Sequence, residues 1–246
     1  MYHSDLELKE GAFVIADAHF SNKRPQLQDF LQDIYLNKLQ PTQLIFMGDI
    51  FDALFGGIDL TIKRDEKLIK LINDISEKIE IIYLEGNHDF NLKKVFPNVK
   101  VFGITQQPLL CRYKDKKVLL AHGDFDGVLT YKIYVKIVRN SFVLKFLKLF
   151  DKKILSKLDN YLNKKNDCNE FINFKDFIAK RELNKYKCDY FIEGHYHQNK
   201  TYIYDEFVYI NIASFACNQR YFIVNYFKDK ELLIEKLFYK DTKNGW

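Results

Sequence analysis

Five short apolar runs in this chain each stop at a cluster of metal-ligand residue types. Ala12–Ala16 leads into Asp17-Ala18-His19, and Leu44–Met47 into Gly48-Asp49. Ile81–Leu84 leads to Gly86-Asn87-His88-Asp89, Val118–Ala121 to His122-Gly123-Asp124, and Tyr190–Ile192 to Gly194-His195-Tyr196-His197. Runs of this length, bounded by turn residues, read as buried strands. In open α/β sheets ligands bind beyond the carboxyl ends of the strands. A chain that ends five strands this way is therefore expected to bring all five clusters to one site.

The segments between these runs fit that scheme. Pro25 opens a helical pattern through Leu39, with Leu27, Phe30, Leu31 and Ile34 on one face. Asp65–Ile79 repeats the period with Leu68, Leu71, Ile72 and Ile75. Strand, helix, strand, helix, strand implies a parallel sheet with crossover helices. Toward the end, Thr201–Tyr204, Phe207–Ile212, Tyr221–Tyr226 and Leu232–Phe238 are strand-like and closely spaced, which suggests an antiparallel portion.

Between the fourth and fifth clusters the pattern is interrupted, from about Gly127 to Lys187. The first part, Val128–Leu162, is apolar and basic: Lys132, Lys136, Arg139, Lys145, Lys148, Lys152, Lys153 and Lys157 face only Asp151 and Asp159. Its apolar spacing is helical, so it reads as a helical insertion between two site-bearing strands. The net charge of +5 over 246 residues is too mild to mark a nucleic-acid binder by itself. Cys111, Cys168, Cys188 and Cys217 form no C-x-x-C pair, and a reducing cytosol is the simpler reading of them. The N-terminus is too polar for a signal peptide, and no apolar run is long enough to span a bilayer.

Carboxylates, imidazoles and an amide oxygen, without thiolate, suit Mn, Fe or Zn better than a soft metal. Two divalent cations close together repel, and a carboxylate between them offsets this; Asp49 is the natural bridge. Such a pair polarises a phosphoryl oxygen and lowers the pKa of a water, supplying a hydroxide nucleophile for attack on phosphorus near neutral pH. His88, next to Asn87, is placed to stabilise developing charge or to protonate the leaving oxygen. Asp89 is expected to orient His88, and Asp124 to orient a ligand imidazole.

The five blocks, in this order, resemble the D-x-H, GD, GNH, H and GHxH pattern of the calcineurin-like metallophosphoesterase superfamily. The resemblance covers most of the chain and implies one domain, a four-layer α/β/β/α sandwich with the insertion at about 127–187 as a helical cap. It implies one metal on Asp17, His19, Asp49 and His197, and a second on Asp49, Asn87, His122 and His195. The stretches Gly48–Asp52, Gly86–Phe90 and Ala121–Asp124, with Tyr131, Tyr134 and Arg139-Asn140 beyond them, are similar to the UDP-2,3-diacylglucosamine pyrophosphohydrolases of lipid A biosynthesis. Many members of that family carry Arg where this chain has His88. The resemblance implies cleavage of UDP-2,3-diacylglucosamine to UMP and 2,3-diacylglucosamine 1-phosphate (lipid X), with manganese, in a bacterial cytoplasm at the inner membrane surface. It also implies that Arg139, Asn140 and Tyr131 contact substrate and that no nucleic acid is bound. An apolar, basic cap suits a diacylated, anionic substrate and an anionic bilayer.

Two other readings use the same fold. A phosphodiesterase for nucleotides, nucleic acid or another soluble diester would act without any lipid dependence. A non-enzymatic binding scaffold would fold without binding metal, and such a protein is expected to lack some of the ligand positions, all of which are filled here.

Overall fold

The computed structural model describes residues 6–127, 129–140, 143, 168–225 and 232–238. Two six-stranded sheets face each other. The first runs in the order β14 (Leu233–Leu237), β13 (Arg220–Val224), β2 (Phe13–Ile15), β3 (Leu44–Phe46), β5 (Ile81–Leu84), β7 (Lys100–Phe102). Its centre, β2, β3, β5 and β7, is parallel, and β13 and β14 add an antiparallel margin. The second runs β1 (Leu6–Glu7), β8 (Leu109–Tyr113), β9 (Lys116–Ala121), β10 (Tyr190–Glu193), β12 (Val208–Asn211), β11 (Lys200–Ile203). Within it β9, β10 and β12 are parallel. A small parallel pair, β4 (Leu54–Phe55) and β6 (Asp89–Phe90), stands apart.

Three apolar layers hold this arrangement. Helices α1 (Gln26–Tyr35) and α3 (Glu66–Ser76) bury Leu27, Phe30, Leu31 and Ile34, and Leu68, Ile72 and Ile75, against the first sheet. These are the faces the periodicity predicts, with Leu71 only half-buried. The helix α2 (Asp59–Arg64) precedes α3. Between the sheets, Val14, Ile45 and Ile82 meet Val118, Leu120 and Ile192. On the far face of the second sheet, Phe174 and Ile178 of α5 (Phe174–Ala179) pack on Leu119, Phe191 and Tyr209. The order is helix, sheet, sheet, helix, the four-layer sandwich expected. Burial of strand side chains on both faces explains why these strands read as continuous apolar runs rather than alternating ones.

The expected insertion is represented by α4 (Leu129–Val138) and α5. Lys145, Lys148, Lys152, Lys153 and Lys157, and the rest of its basic first part beyond Val143, lie outside the described residues. No helix among the described residues is long and apolar enough to cross a membrane. The cysteines depart from the sequence reading. Cys168 and Cys217 form a disulfide across a sequence separation of 49, while Cys111 and Cys188 are free and buried. Nothing in their spacing pairs them; the fold does, by returning the insertion to α6 (Phe215–Asn218).

Candidate metal centre

The five ligand-bearing strands occupy adjacent places: β2, β3 and β5 in the first sheet, β9 and β10 in the second. Their carboxyl ends meet where the two sheets face each other. Asp17, His19, Asp49 and His122 are buried there, and Asn87, His195 and His197 are half-buried. The parallel pairing continues past the strands, with Asp17 N–H donating to Gly48 O at 3.1 Å and His19 N–H to Asp49 O at 3.0 Å.

Asp17, His19, Asp49, His195 and His197 all have φ between 43° and 60°. This left-handed region is unfavourable for residues with a side chain, and such strain persists where the surroundings over-determine it, commonly at functional sites. The accompanying glycines answer a packing need. A Cβ on Gly86 would stand 2.1 Å from Asp49 Oδ1, and one on Gly194 would stand 2.6 Å from Asp17 Oδ2. Glycine lets one ligand loop lie directly on the next.

Among the described residues, donor atoms lie within 4.8 Å of one another in three groups: Asp17, His19 and His197; Asp49, His122 and His195; and His19, Asp52 and His88. His197 Nε2 is 3.0 Å from Asp17 Oδ1, and His122 Nε2 is 3.4 Å from Asp49 Oδ2. Asn87 Oδ1 and His195 Nδ1 each stand 3.2 Å from the same His122 Nε2. The structure thus brings together all seven residues expected to hold metal. Both ring nitrogens of His19 are buried without a hydrogen-bond partner among the described residues. Buried polar atoms of this kind ordinarily have partners, and unmatched imidazole nitrogens grouped with the Asp17 carboxylate and the His197 ring suit divalent cations.

Charge follows the same geometry. Burial opposes ionisation of Asp49, but His122 and His88 hold its carboxyl well below the usual range. Burial likewise opposes a charge on His122, yet Asp49 raises its pKa well above the ordinary value. Burial, together with nearby imidazoles, lowers His19 to about 3 and His195 to about 4, so both rings are neutral and ready to donate a lone pair near pH 7.

The supporting residues depart in part from expectation. His88 Nδ1 is 2.9 Å from Asp52 O, and it is that carbonyl, not Asp89, that orients the ring. Asp89 instead accepts the N–H groups of Asp49 (3.0 Å), Ile50 (2.6 Å), Phe51 (3.3 Å) and Gly86 (2.9 Å), and the Tyr83 hydroxyl (2.6 Å). Burial and the Asp49 charge push Asp89 up to about 7, and the Tyr83 and Gly86 hydrogen bonds work against that. Asp124 is buried and its charge acts on both His122 and His195, while the contact at His122 Nδ1 is Met47 O, 2.9 Å away. Arg139 donates from Nη1 to Glu85 Oε2 (2.9 Å) and from Nη2 to Gly86 O (2.6 Å). Asn140 is exposed, with Oδ1 accepting Val143 N–H at 3.4 Å. Tyr131 lies on α4, and its side chain is outside the described residues.

The sequence reading missed Asp52, whose Oδ1 is 3.6 Å from His19 Nδ1, and Gln107, which accepts His122 N–H at 2.7 Å. The signal for Asp52 was present, three residues after Asp49; Gln107 has none.

The model of the calcineurin-like phosphoesterase family matches residues 12–199, which include every one of these ligands. The chain belongs to the calcineurin-like phosphoesterases. This phosphoesterase is similar to the UDP-2,3-diacylglucosamine hydrolase of Histophilus somni, at 27% identity over 77% of this chain and 85% of that protein. It is also similar to the UDP-2,3-diacylglucosamine hydrolase of Haemophilus influenzae, at 23% identity over 84% and 91%. Among solved structures, an archaeal phosphodiesterase matches 92% of this phosphoesterase and 99% of its own chain, with 14% identity and a TM-score of 0.47. The phosphoesterase is a metal-dependent enzyme of that family, and its Asp, His and Asn cluster fits the divalent cations the family uses.

Proposed function

We propose that this phosphoesterase hydrolyses the pyrophosphate of UDP-2,3-diacylglucosamine, releasing UMP and 2,3-diacylglucosamine 1-phosphate. The observation that carries the reading is the convergence of Asp49, Asn87, His122 and His195 beside Asp17, His19 and His197, in a chain whose curated relatives are named for that substrate. Two divalent cations here, manganese by preference, supply Lewis-acid polarisation of a phosphoryl oxygen and acidify the attacking water.

The chain's own residues do the rest. Asp49 has Oδ1 fixed by His88 N–H at 2.8 Å, which leaves Oδ2 turned toward His122 and His88. Since Asp52 O can only accept, His88 Nδ1 carries the proton of that contact. His88 Nε2, 3.9 Å from Asp49 Oδ2, is then the atom able to exchange a proton with a leaving oxygen.

A cavity of about 1000 Å³ lined by Glu85, two residues before Asn87, supports the substrate class. Lys93, Lys94 and Arg139 line it together with Ile62, Val95 and Val101, which suits an anionic group joined to acyl chains. On α4 the exposed Ile133 and Ile137 flank the exposed Lys136, a composition suited to a peripheral position on an anionic inner-membrane surface from the cytoplasmic side. We take the chain as one domain with a helical cap at about 127–187.

The test is a manganese-supplemented hydrolysis assay on UDP-2,3-diacylglucosamine. UMP and the lipid monophosphate as co-products are expected. No release, alongside hydrolysis of a soluble phosphodiester, would discard the lipid substrate and keep the dimetal site.

A further inference from the structure

Two glutamates occupy the same place in two ligand loops. Glu85-Gly86-Asn87 and Glu193-Gly194-His195 each put a Glu two residues before an expected ligand of the second metal. Each Glu is buried at the end of a strand, and each is held by an arginine from the stretch between β9 and β10. Arg139 follows α4, and Arg181 follows α5.

At the first loop, Arg139 bonds Glu85 and the Gly86 carbonyl, and its guanidinium lies 5.0 Å above the Phe90 ring. Asn91 Nδ2 donates back to Arg139 O at 2.9 Å. At the second loop, Arg181 makes two forks. Its Nη1 and Nη2 donate to Glu193 at 2.6 and 2.8 Å, and its Nε and Nη2 donate to Asp126 at 2.9 Å each. Asp126 lies four residues after His122. Tyr209 donates to Glu193 at 2.8 Å, and Tyr196, whose ring lies 5.4 Å from the Arg181 guanidinium, donates to Gly123 O at 2.9 Å. The loops of Asn87, His122 and His195 thus each carry a group held by an arginine of the insertion.

Buried ion pairs of this kind add little net stability, because desolvation offsets the attraction. What a planar, bidentate fork does provide is geometric definition, which a lysine ammonium cannot reproduce. We propose that Arg139 and Arg181 are positioning residues that couple the insertion to the Asn87–His122–His195 half of the metal centre. They set where Gly86 and Gly194 hand the chain over to Asn87 and His195. The second cation is therefore held firmly only while the insertion is seated. This inference rests on the two-cation reading of the site.

The test is calorimetric titration of metal-stripped protein with Mn2+, comparing wild type with Arg139→Lys and Arg181→Lys. Wild type is expected to take up two ions. Each variant is expected to keep the first within about threefold and to bind the second about 10–100-fold more weakly, the usual loss when an outer-shell partner is removed. If both variants bind both ions as wild type does, or lose both ions equally, the coupling is overturned. A wild type that takes up fewer than two ions overturns the two-cation reading itself. Should Arg181→Lys fail to fold, Glu193→Gln keeps the size of the side chain and carries the same test: a weakened second ion supports the proposal, and an unchanged one overturns it.

Discussion

Asp89 Oδ1 accepts the backbone N–H of Asp49 at 3.0 Å, so one buried carboxylate fixes the loop of another. Ile50, Phe51 and Gly86 N–H and the Tyr83 hydroxyl converge on the same Asp89 side chain. Asp89→Asn puts an amide N–H₂ where only acceptors fit. Stranded buried donors of this kind cost about 1–3 kcal/mol each. Urea unfolding of metal-stripped protein is expected to show a loss of roughly 2–4 kcal/mol on that scale. A loss below about 0.5 kcal/mol, the level of an ordinary surface substitution, would mean that Asp89 does not brace the loop.

His88 presents a different expectation, because it touches the centre without belonging to either half of the expected ligand set. Its ring is held by Asp52 O at 2.9 Å, and its Nε2 is left toward Asp49. His88→Ala is expected to lower turnover by about 10²–10⁴, the range for loss of a general acid, with metal content unchanged. Metal analysis beside steady-state kinetics separates the two. Loss of metal together with activity would make His88 a ligand or a structural residue instead.

Gly86→Ala tests the close approach of two ligand loops. The added methyl would stand 2.1 Å from Asp49 Oδ1 and 2.5 Å from Asp49 N, so backbone must move. Asp49→Ala removes the proposed bridging carboxylate outright. Both variants are expected to lose two-ion binding and activity, as read by metal analysis and hydrolysis. Wild-type turnover in the Asp49 variant would remove the mechanism.

The sheet sandwich was legible because β2, β3, β5, β9 and β10 are buried on both faces, and burial writes itself as an apolar run. Leu6–Glu7, Leu54–Phe55, Asp89–Phe90 and Lys100–Phe102 were not, because none of them holds more than two consecutive apolar residues. The ligands were legible for a related reason: at strand ends a Gly beside His, Asp or Asn breaks the apolar run abruptly. Their supports were hidden because they come from distant parts of the chain. Asp89 was expected to serve its neighbour His88 and serves a loop 40 residues away; Arg181 reaches Asp126 and Glu193 across 55 and 12 residues. The repeated Glu-Gly before Asn87 and before His195 was the one written trace of that network.

The cysteines give the last expectation. Cys217 sits on α6, whose Ala216 N–H donates to Asp17 O at 3.1 Å, while Ser214 Oγ donates to the same carbonyl at 2.7 Å. Its partner Cys168 belongs to the insertion, so the disulfide ties the insertion to the element that supports the Asp17 loop. Thiol titration of the unreduced protein in denaturant is expected to find two free thiols, Cys111 and Cys188, and four after reduction. In the chain-entropy picture, opening a loop closed over 49 residues costs about 4 kcal/mol. Reduction should therefore lower Tm by several degrees, and Cys168→Ser with Cys217→Ser should start at that lower Tm and no longer respond to reductant. Four free thiols without reductant would show that the pair stays open and that α6 holds the Asp17 loop through Ser214 and Ala216 alone.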